Sequence, residues 1–136
     1  MKVAVAVIVD KNQRILITRR PAHASHGGMW EFPGGKLEEG EAADQALTRE
    51  IDEEVGIQIN KSTFLGEINH QYPHRTVTLV VFLVDEFTGR ATCRENQMGL
   101  CWVPFEQLSD YSFPEANYKI VQLLKAHASF SAEHSL

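Results

Sequence analysis

Glu50, Glu53 and Glu54 stand at i, i+3 and i+4 in a stretch free of proline and glycine. On a helix at about 100° per residue, these spacings gather three carboxylates on one side. The same wheel sets Ala43, Ala46, Leu47 and Ile51 beside or between them, and Gln45, Thr48, Arg49 and Asp52 on the opposite, solvated side. Acids that merely keep a helix wet lie among its polar residues, whereas these border the apolar stripe. Like charges at such spacings repel, and more so when partly desolvated. A bound cation turns that repulsion into affinity. Every donor is a hard oxygen and no Cys or His joins the cluster, so the chemistry fits Mg²⁺ or Mn²⁺ rather than zinc.

These acids need a helix and a loop to hold them. Ala42 to Val55 is rich in helix formers and stops at Gly56, a residue suited to the position just past a helix end. Gly34-Gly35 reads as a turn ahead of that helix, where missing side chains let a ligand approach the backbone and a carbonyl could complete a metal's coordination. A purely structural tight turn is the other reading. Glu41 lies near the helix start, where an acid favours the helix dipole or serves the site. Arg49 is placed to pair with a neighbouring acid in a supporting role.

The rest of the chain supplies a sheet. Val3 to Val9 and Arg14 to Thr18 flank the turn residues Asp10-Lys11-Asn12-Gln13 and read as a hairpin. Ile57 to Leu65 and Arg75 to Val84 restore strand character around the turn Tyr72-Pro73-His74, the second run being a central strand. Gly89 to Gly99 is a loop, Leu100 to Val103 a short strand, Pro104 to Leu108 a turn or short helix, and Asn117 to Ala126 helical. This is an α/β (α+β) pattern, expected to form one domain over 1–128 with a short tail at 129–136.

Composition narrows the partners. A chain of 136 residues with 43% hydrophobic content suits one core, and a net charge of −5 offers no basic footprint for polymeric nucleic acid or an anionic membrane. An acidic protein handling an acidic small molecule needs a divalent cation between them. Cys93 and Cys101 match neither a zinc knuckle nor a disulfide framework and read as buried or half-buried free thiols. The apolar run Val3 to Val9 is broken too soon for a membrane span or cleavable signal. The expectation is a cytoplasmic monomer.

Gly35, Glu41 and the run Arg49-Glu50-Ile51-Asp52-Glu53-Glu54-Val55-Gly56-Ile57 resemble the Nudix box in spacing, apolar positions and closing glycine. The resemblance implies a loop-helix-loop catalytic element in an α/β/α sandwich around a mixed β-sheet. It implies a substrate in which a nucleoside diphosphate is linked to another group, with Mg²⁺ as cofactor and Mn²⁺ as a substitute. Glu50, Glu53 and Glu54 match the family's metal ligands, and the Gly34 or Gly35 carbonyl matches a backbone ligand.

Over nearly the whole chain the sequence is similar to the MutT branch of that family, which removes oxidised purine triphosphates such as 8-oxo-dGTP and so protects against mutation. The carriers are Ile17-Thr18-Arg19-Arg20, Trp30-Glu31-Phe32-Pro33-Gly34-Gly35-Lys36, Arg75-Thr76-Val77-Thr78-Leu79 and Phe113-Pro114-Glu115-Ala116-Asn117. Arg20 and Arg75 resemble residues that hold the nucleotide. Ser25 falls where the branch has a histidine, with His23 and His26 nearby. Pro33 and Gly34 belong to the same substrate-binding stretch, and Phe32 either stacks on the base or fills the core. Asn117 either caps a helix or reads the base. Its amide could accept from the N7–H that oxidation at C8 creates while donating to O6, a pairing that undamaged guanine breaks. Glu95 lies about where the branch supplies a further acidic ligand. The implied reaction is attack of water on a phosphorus, most simply the β-phosphorus, giving nucleoside monophosphate and pyrophosphate, with Glu53 as the base and Glu95 as the alternate. The segment around Glu95 also resembles a sister branch acting on cytidine nucleotides, so a CTP or pyrimidine nucleotide pyrophosphohydrolase is an alternative. A Nudix module that senses a nucleotide without cutting it is the alternative outside catalysis.

Overall fold

The computed structural model describes residues 1–127. The boundary expected at residue 128 and the tail at 129–136 lie outside the described residues. Strands β1 (Lys2–Ile8), β2 (Arg14–Arg19), β3 (Trp30–Glu31) and β4 (Gly34–Lys36) precede helix α1 (Ala43–Val55). Then come β5 (Gln58–Tyr72), β6 (Arg75–Thr88), β7 (Gly99–Pro104), a 3₁₀ segment at Phe105–Asp110 and helix α2 (Glu115–Ala126). Four strands form one mixed sheet in the order β4-β1-β6-β5, with β1 parallel to β6, and three form a second sheet, β3-β2-β7.

β1 is buried continuously from Ala4 onward, as expected of a strand covered on both faces. Its alternation divides the core. Val5, Val7 and Val9 face the side where α2 contributes Ile120 and Leu124. Ala4, Ala6 and Ile8 face α1 through Leu47, Ile51 and Val55. The mixed sheet therefore lies between two helical layers, and each fully buried Leu or Ile adds roughly 1.5–3 kcal/mol of apolar burial.

The expected hairpin of the first two strands does not form. β1 pairs with β6 along its length and with β4 over Val3–Val5, and β2 pairs with β3 and β7 in the other sheet. The two runs pair only near the turn, through the bridge between Val9 and Ile15 and the Asp10 N–H to the Arg14 carbonyl. The Asp10 carboxylate shapes the connection by accepting from the Asn12 and Arg14 backbone N–H groups and from Arg14 Nε.

β5 runs to Tyr72, well past the expected Leu65, and meets β6 across Pro73-His74. After Gly66 its residues alternate, with Ile68 and Tyr72 packed against the core and His70 buried. β6 is the central strand expected of it. Cys93 is exposed and Cys101 half-buried, so the expectation of burial fails for Cys93. No helix among the described residues is long and apolar enough to cross a membrane.

Candidate active site

α1 ends as its sequence dictates: Gly56 takes the left-handed conformation at φ 73° and donates its N–H to the Asp52 carbonyl. Around the helix, Glu54 lies nearest the buried stripe of Leu47, Ile51 and Val55, Glu50 next and Glu53 furthest, at about 100° per residue. Exposure follows that order. Glu54 is deeply held, the Glu50 side chain is 17% exposed, and the Glu53 side chain is 50% exposed.

The structure accordingly regroups the expected acids. Oxygens of Glu50, Glu54 and Glu95 all lie within 4.8 Å of one another. Glu53 is outside this set, with its Oε2 3.6 Å from Arg49 Nη1. The triad is two acids from the helix and one from the loop after β6. Two unit charges 4.8 Å apart repel by roughly 3–4 kcal/mol at an effective dielectric constant of about 20. Burial foremost, then the neighbouring charges of Glu31, Glu50 and Glu95, push the Glu54 carboxyl up to about 8, although the Gly34 N–H opposes the shift. Burial likewise raises Glu50 against the pull of Arg49. Three hard-oxygen donors that repel when charged fit a divalent cation.

Gly34 and Gly35 are not a turn. They form β4, paired antiparallel with β1, and neither has a positive φ. Their lack of side chains serves close approach. A Cβ on Gly34 would lie 2.1 Å from the Ala4 carbonyl oxygen, and one on Gly35 would lie 2.2 Å from Glu50 Cδ. The Gly34 N–H donates to Glu54 Oε2 at 2.8 Å, so Gly34 meets the cluster through its amide hydrogen.

Arg49 is not on an idle face. It reaches Glu41 through Nε and Nη2 at 3.0 and 2.9 Å, Glu50 at 2.7 Å and the Lys36 carbonyl at 3.1 Å. This grip, with a bond from the Glu38 backbone, holds the Glu41 carboxyl down at about 2, while Glu41 and Glu50 raise Arg49. Glu41 thus anchors the arginine that orients Glu50.

A hollow of about 240 Å³ next to β4 collects Arg20, Ser25, Arg75 and Asn117, with Val3, Val77 and Leu79 among its walls. Arg20 donates to the Ser25 carbonyl and to Glu31 Oε1 at 2.7 and 2.8 Å. Arg75 lies over the Tyr72 ring, 5.5 Å from its centroid. Asn117 sits in the first turn of α2, whose N-cap is Pro114, so it is no cap; its Oδ1 accepts the Phe32 N–H at 3.1 Å. The Phe32 ring is 3% exposed and stacks on Phe113 at 5.4 Å, placing it in the core. Pro33 is also buried, its carbonyl accepting from Ala6, so neither ring lines the hollow.

Sequence reasoning missed Glu31 and Lys36, which line the hollow as well. The alternation Trp30-Glu31-Phe32 in an extended run is the signal that turns Glu31 away from the two aromatic rings. His70 also went unremarked: it is 7% exposed, and its Nδ1 has no hydrogen-bond partner among the described residues.

Comparison with known proteins accords with this geometry. The chain is 38% identical over 125 residues to the 8-oxo-dGTP diphosphatase of Escherichia coli K12, covering 92% of this chain and 96% of that one. It is 32% identical over 122 residues to the CTP pyrophosphohydrolase of the same organism, covering 90% of each. A MutT structure from work on Aliivibrio salmonicida and Vibrio cholerae superposes with a TM-score of 0.79 at 35% identity, over 93% of this chain and 100% of the other. The NUDIX domain pattern matches residues 4–123, and the chain belongs to the NUDIX family.

Proposed function

We propose that this Nudix hydrolase cleaves 8-oxo-dGTP and 8-oxo-GTP to the monophosphate and pyrophosphate, with Mg²⁺ held by Glu50, Glu54 and Glu95 and by a backbone carbonyl of Gly34 or Gly35. One observation carries the reading: the short segment Glu31 to Gly35 ties the hollow to the acids. Glu31 lines the hollow, the Phe32 N–H binds Asn117, the Gly34 N–H binds Glu54, and Gly35 rests against Glu50. A nucleotide whose base lies at Asn117 thus has its phosphates directed toward the carboxylates.

When bound, the divalent ion neutralises phosphate oxygens and acidifies water. The chain's own groups do the rest. Arg20 and Arg75 offer positive charge to the nucleotide, Arg49 holds Glu50 in place, and Glu53, beside the cluster yet open to solvent, accepts the proton from the attacking water. At Asn117 the Phe32 N–H uses one lone pair of Oδ1, leaving the second for an N7–H and the Nδ2 hydrogens for O6. A site built on such a hydrogen bond rejects an analogue that lacks it by up to about 10⁴–10⁵.

A panel of oxidised and normal nucleoside triphosphates, read by pyrophosphate release with Mg²⁺, tests this. The expected result is a strong preference for 8-oxo-dGTP, whereas a preference for CTP or 5-methyl-dCTP sinks the purine reading. Glu53→Gln is expected to collapse kcat while nucleotide binding survives, and near wild-type turnover in that variant removes Glu53 from the role of base.

A further inference from the structure

Glu95 reaches the acidic cluster from an exposed loop, and nothing in its own position explains why it stays there. The answer lies two residues on. Gln97 Oε1 accepts the Glu95 backbone N–H at 2.8 Å, while Gln97 Nε2 donates to the Glu54 carbonyl at 3.0 Å. One bond requires an acceptor and the other a donor, so the two together fix the orientation of the amide. Asn96 makes the fold-back possible by taking φ 62°, a conformation that asparagine adopts more readily than most residues.

The Glu54 carbonyl belongs to the last turn of α1, where carbonyls lose their helical partners. The loop supplies them instead. Thr92 N–H binds the Val55 carbonyl at 2.9 Å, and Arg94 N–H binds that of Glu54 at 3.0 Å. Gln97 adds a side-chain bond to these backbone ones, and its amide hydrogen-bonds both the Glu54 carbonyl and the Glu95 N–H.

We infer that Gln97 is a positioning residue: its amide ties the Glu95 backbone to the end of α1 and so makes Glu95 a working third ligand for the divalent ion. The inference rests on the cation reading of the cluster. The Glu54 carboxylate has its own hold on the Gly34 N–H, so the end of α1 is the fixed side of this clamp and Glu95 the side that it positions. Gln97 is not among the three clustered carboxylates and does not line the hollow.

The test is a double-mutant cycle on the full chain, read by Mn²⁺ titration with electron paramagnetic resonance of the free ion and by the melting temperature of the metal-free protein. Loss of an outer partner of a ligand typically weakens metal binding about 10–100-fold. Gln97→Leu is expected to weaken Mn²⁺ binding by that amount, as does Glu95→Gln. The double variant is expected to bind no more weakly than Glu95→Gln alone. Any change in melting temperature from Gln97→Leu is expected to be the same in both backgrounds, so a general loss of folding moves a different readout. Gln97→Met, close in length and without the amide, repeats the measurement if the leucine variant does not fold.

Wild-type Mn²⁺ affinity in the Gln97 variants overturns the inference, and so do losses that multiply in the double variant. Wild-type affinity in Glu95→Gln also overturns it, by removing Glu95 from the ligands, yet leaves 8-oxo-dGTP preference to stand or fall in the nucleotide panel.

Discussion

Alanine at Gly35 and alanine at Gly34 are the same chemical change on adjacent residues, and the structure assigns them opposite consequences. A Cβ at Gly35 would sit 2.2 Å from Glu50 Cδ and 2.3 Å from its Oε2. Ordinary carbon contacts begin near about 3.5 Å, so the carboxyl must retreat by about 1.3 Å. Glu50 is a side chain and yields by rotating out of the cluster, against its bond to Arg49. Misplacement of about 1 Å at a reacting centre costs on the order of 10²-fold in rate. Gly35→Ala is therefore expected to melt within about 2 °C of wild type when metal-free, to bind Mn²⁺ at least tenfold more weakly and to lose about 10²-fold in kcat. At Gly34 the obstruction is backbone, with the Ala4 carbonyl oxygen at 2.1 Å and Val5 Cα at 2.9 Å. Relief there means opening the pairing of β4 with β1, at a cost of about 3 kcal/mol and a melting temperature lower by on the order of 10 °C. Thermal melts in chelator, Mn²⁺ titration and pyrophosphate release on both variants decide the matter. Equal destabilisation by the two alanines, or wild-type metal affinity in Gly35→Ala, refutes the reasoning.

Asn117→Asp keeps an acceptor for the Phe32 N–H and removes the Nδ2 donors, so kcat/KM for 8-oxo-dGTP is expected to fall about 10–100-fold with little change in melting temperature; equal losses on every nucleotide would deny Asn117 a part in base selection. Glu41 supplies a pH signature. Its folded pKa of about 2 lies below the usual carboxylate value, so its contribution to stability is present above about pH 4.5 and lost as pH falls toward 2. Acid unfolding followed by circular dichroism is expected to begin at higher pH than in a protein whose acids are unpaired, and Glu41→Gln is expected to flatten that acid limb.

Much of this site was legible because periodicity carries it. The apolar stripe of α1 and the closing Gly56 set the helix, and the wheel placed Glu50 and Glu54 on its buried flank, while the same expectation fails for the exposed Glu53. The wheel also contained the order Glu54, Glu50, Glu53, and with it the exclusion of Glu53 from the tight cluster. That exclusion became visible once side-chain exposure replaced the notion of a shared side. Arg49 pairs with the helix acid Glu50 in the supporting role expected of it. Its further reach to Glu41 was hidden because helical phase describes where a residue starts, whereas a long guanidinium side chain can bend back toward the acids of a preceding loop. The first hairpin failed for a topological reason: a local turn proposes a pairing, but β3 and β7 claim both edges of β2 in a second sheet, and only the bridge by the turn remains. Glycines at 34 and 35 were read as a turn whose bare backbone a ligand could approach; they are strand residues whose missing side chains make room for the Ala4 carbonyl and for Glu50, and that distinction needs the neighbours in place. Glu95 was placed by resemblance alone, since no local pattern brings a loop carboxylate to a helix that ends about 40 residues earlier.

The nucleotide reading and the metal reading are coupled by the main chain between Trp30 and Lys36. This segment is short and carries few conventional functional side chains, and its connections are mostly backbone amides. Phe32 N–H orients Asn117, Gly34 N–H holds Glu54, and the Lys36 carbonyl receives Arg49. The rings of Phe32 and Pro33 are buried in the core, so the segment's position is set by packing. A cavity made beneath it is therefore a perturbation of the site from behind. Phe32→Leu removes the stack on Phe113 and is expected to cost on the order of 1–2 kcal/mol of stability, as a core change of that size does. Because the Phe32 amide and the Gly34 amide move together, the same variant is expected to loosen both base selection and Mn²⁺ affinity. Phe113→Leu, which shortens the other member of the stack, is expected to cost similar stability while disturbing the metal less. If Phe32→Leu lowers the melting temperature and leaves both ligand readouts untouched, the two halves of the site are held independently and the coupling argued from this segment is wrong.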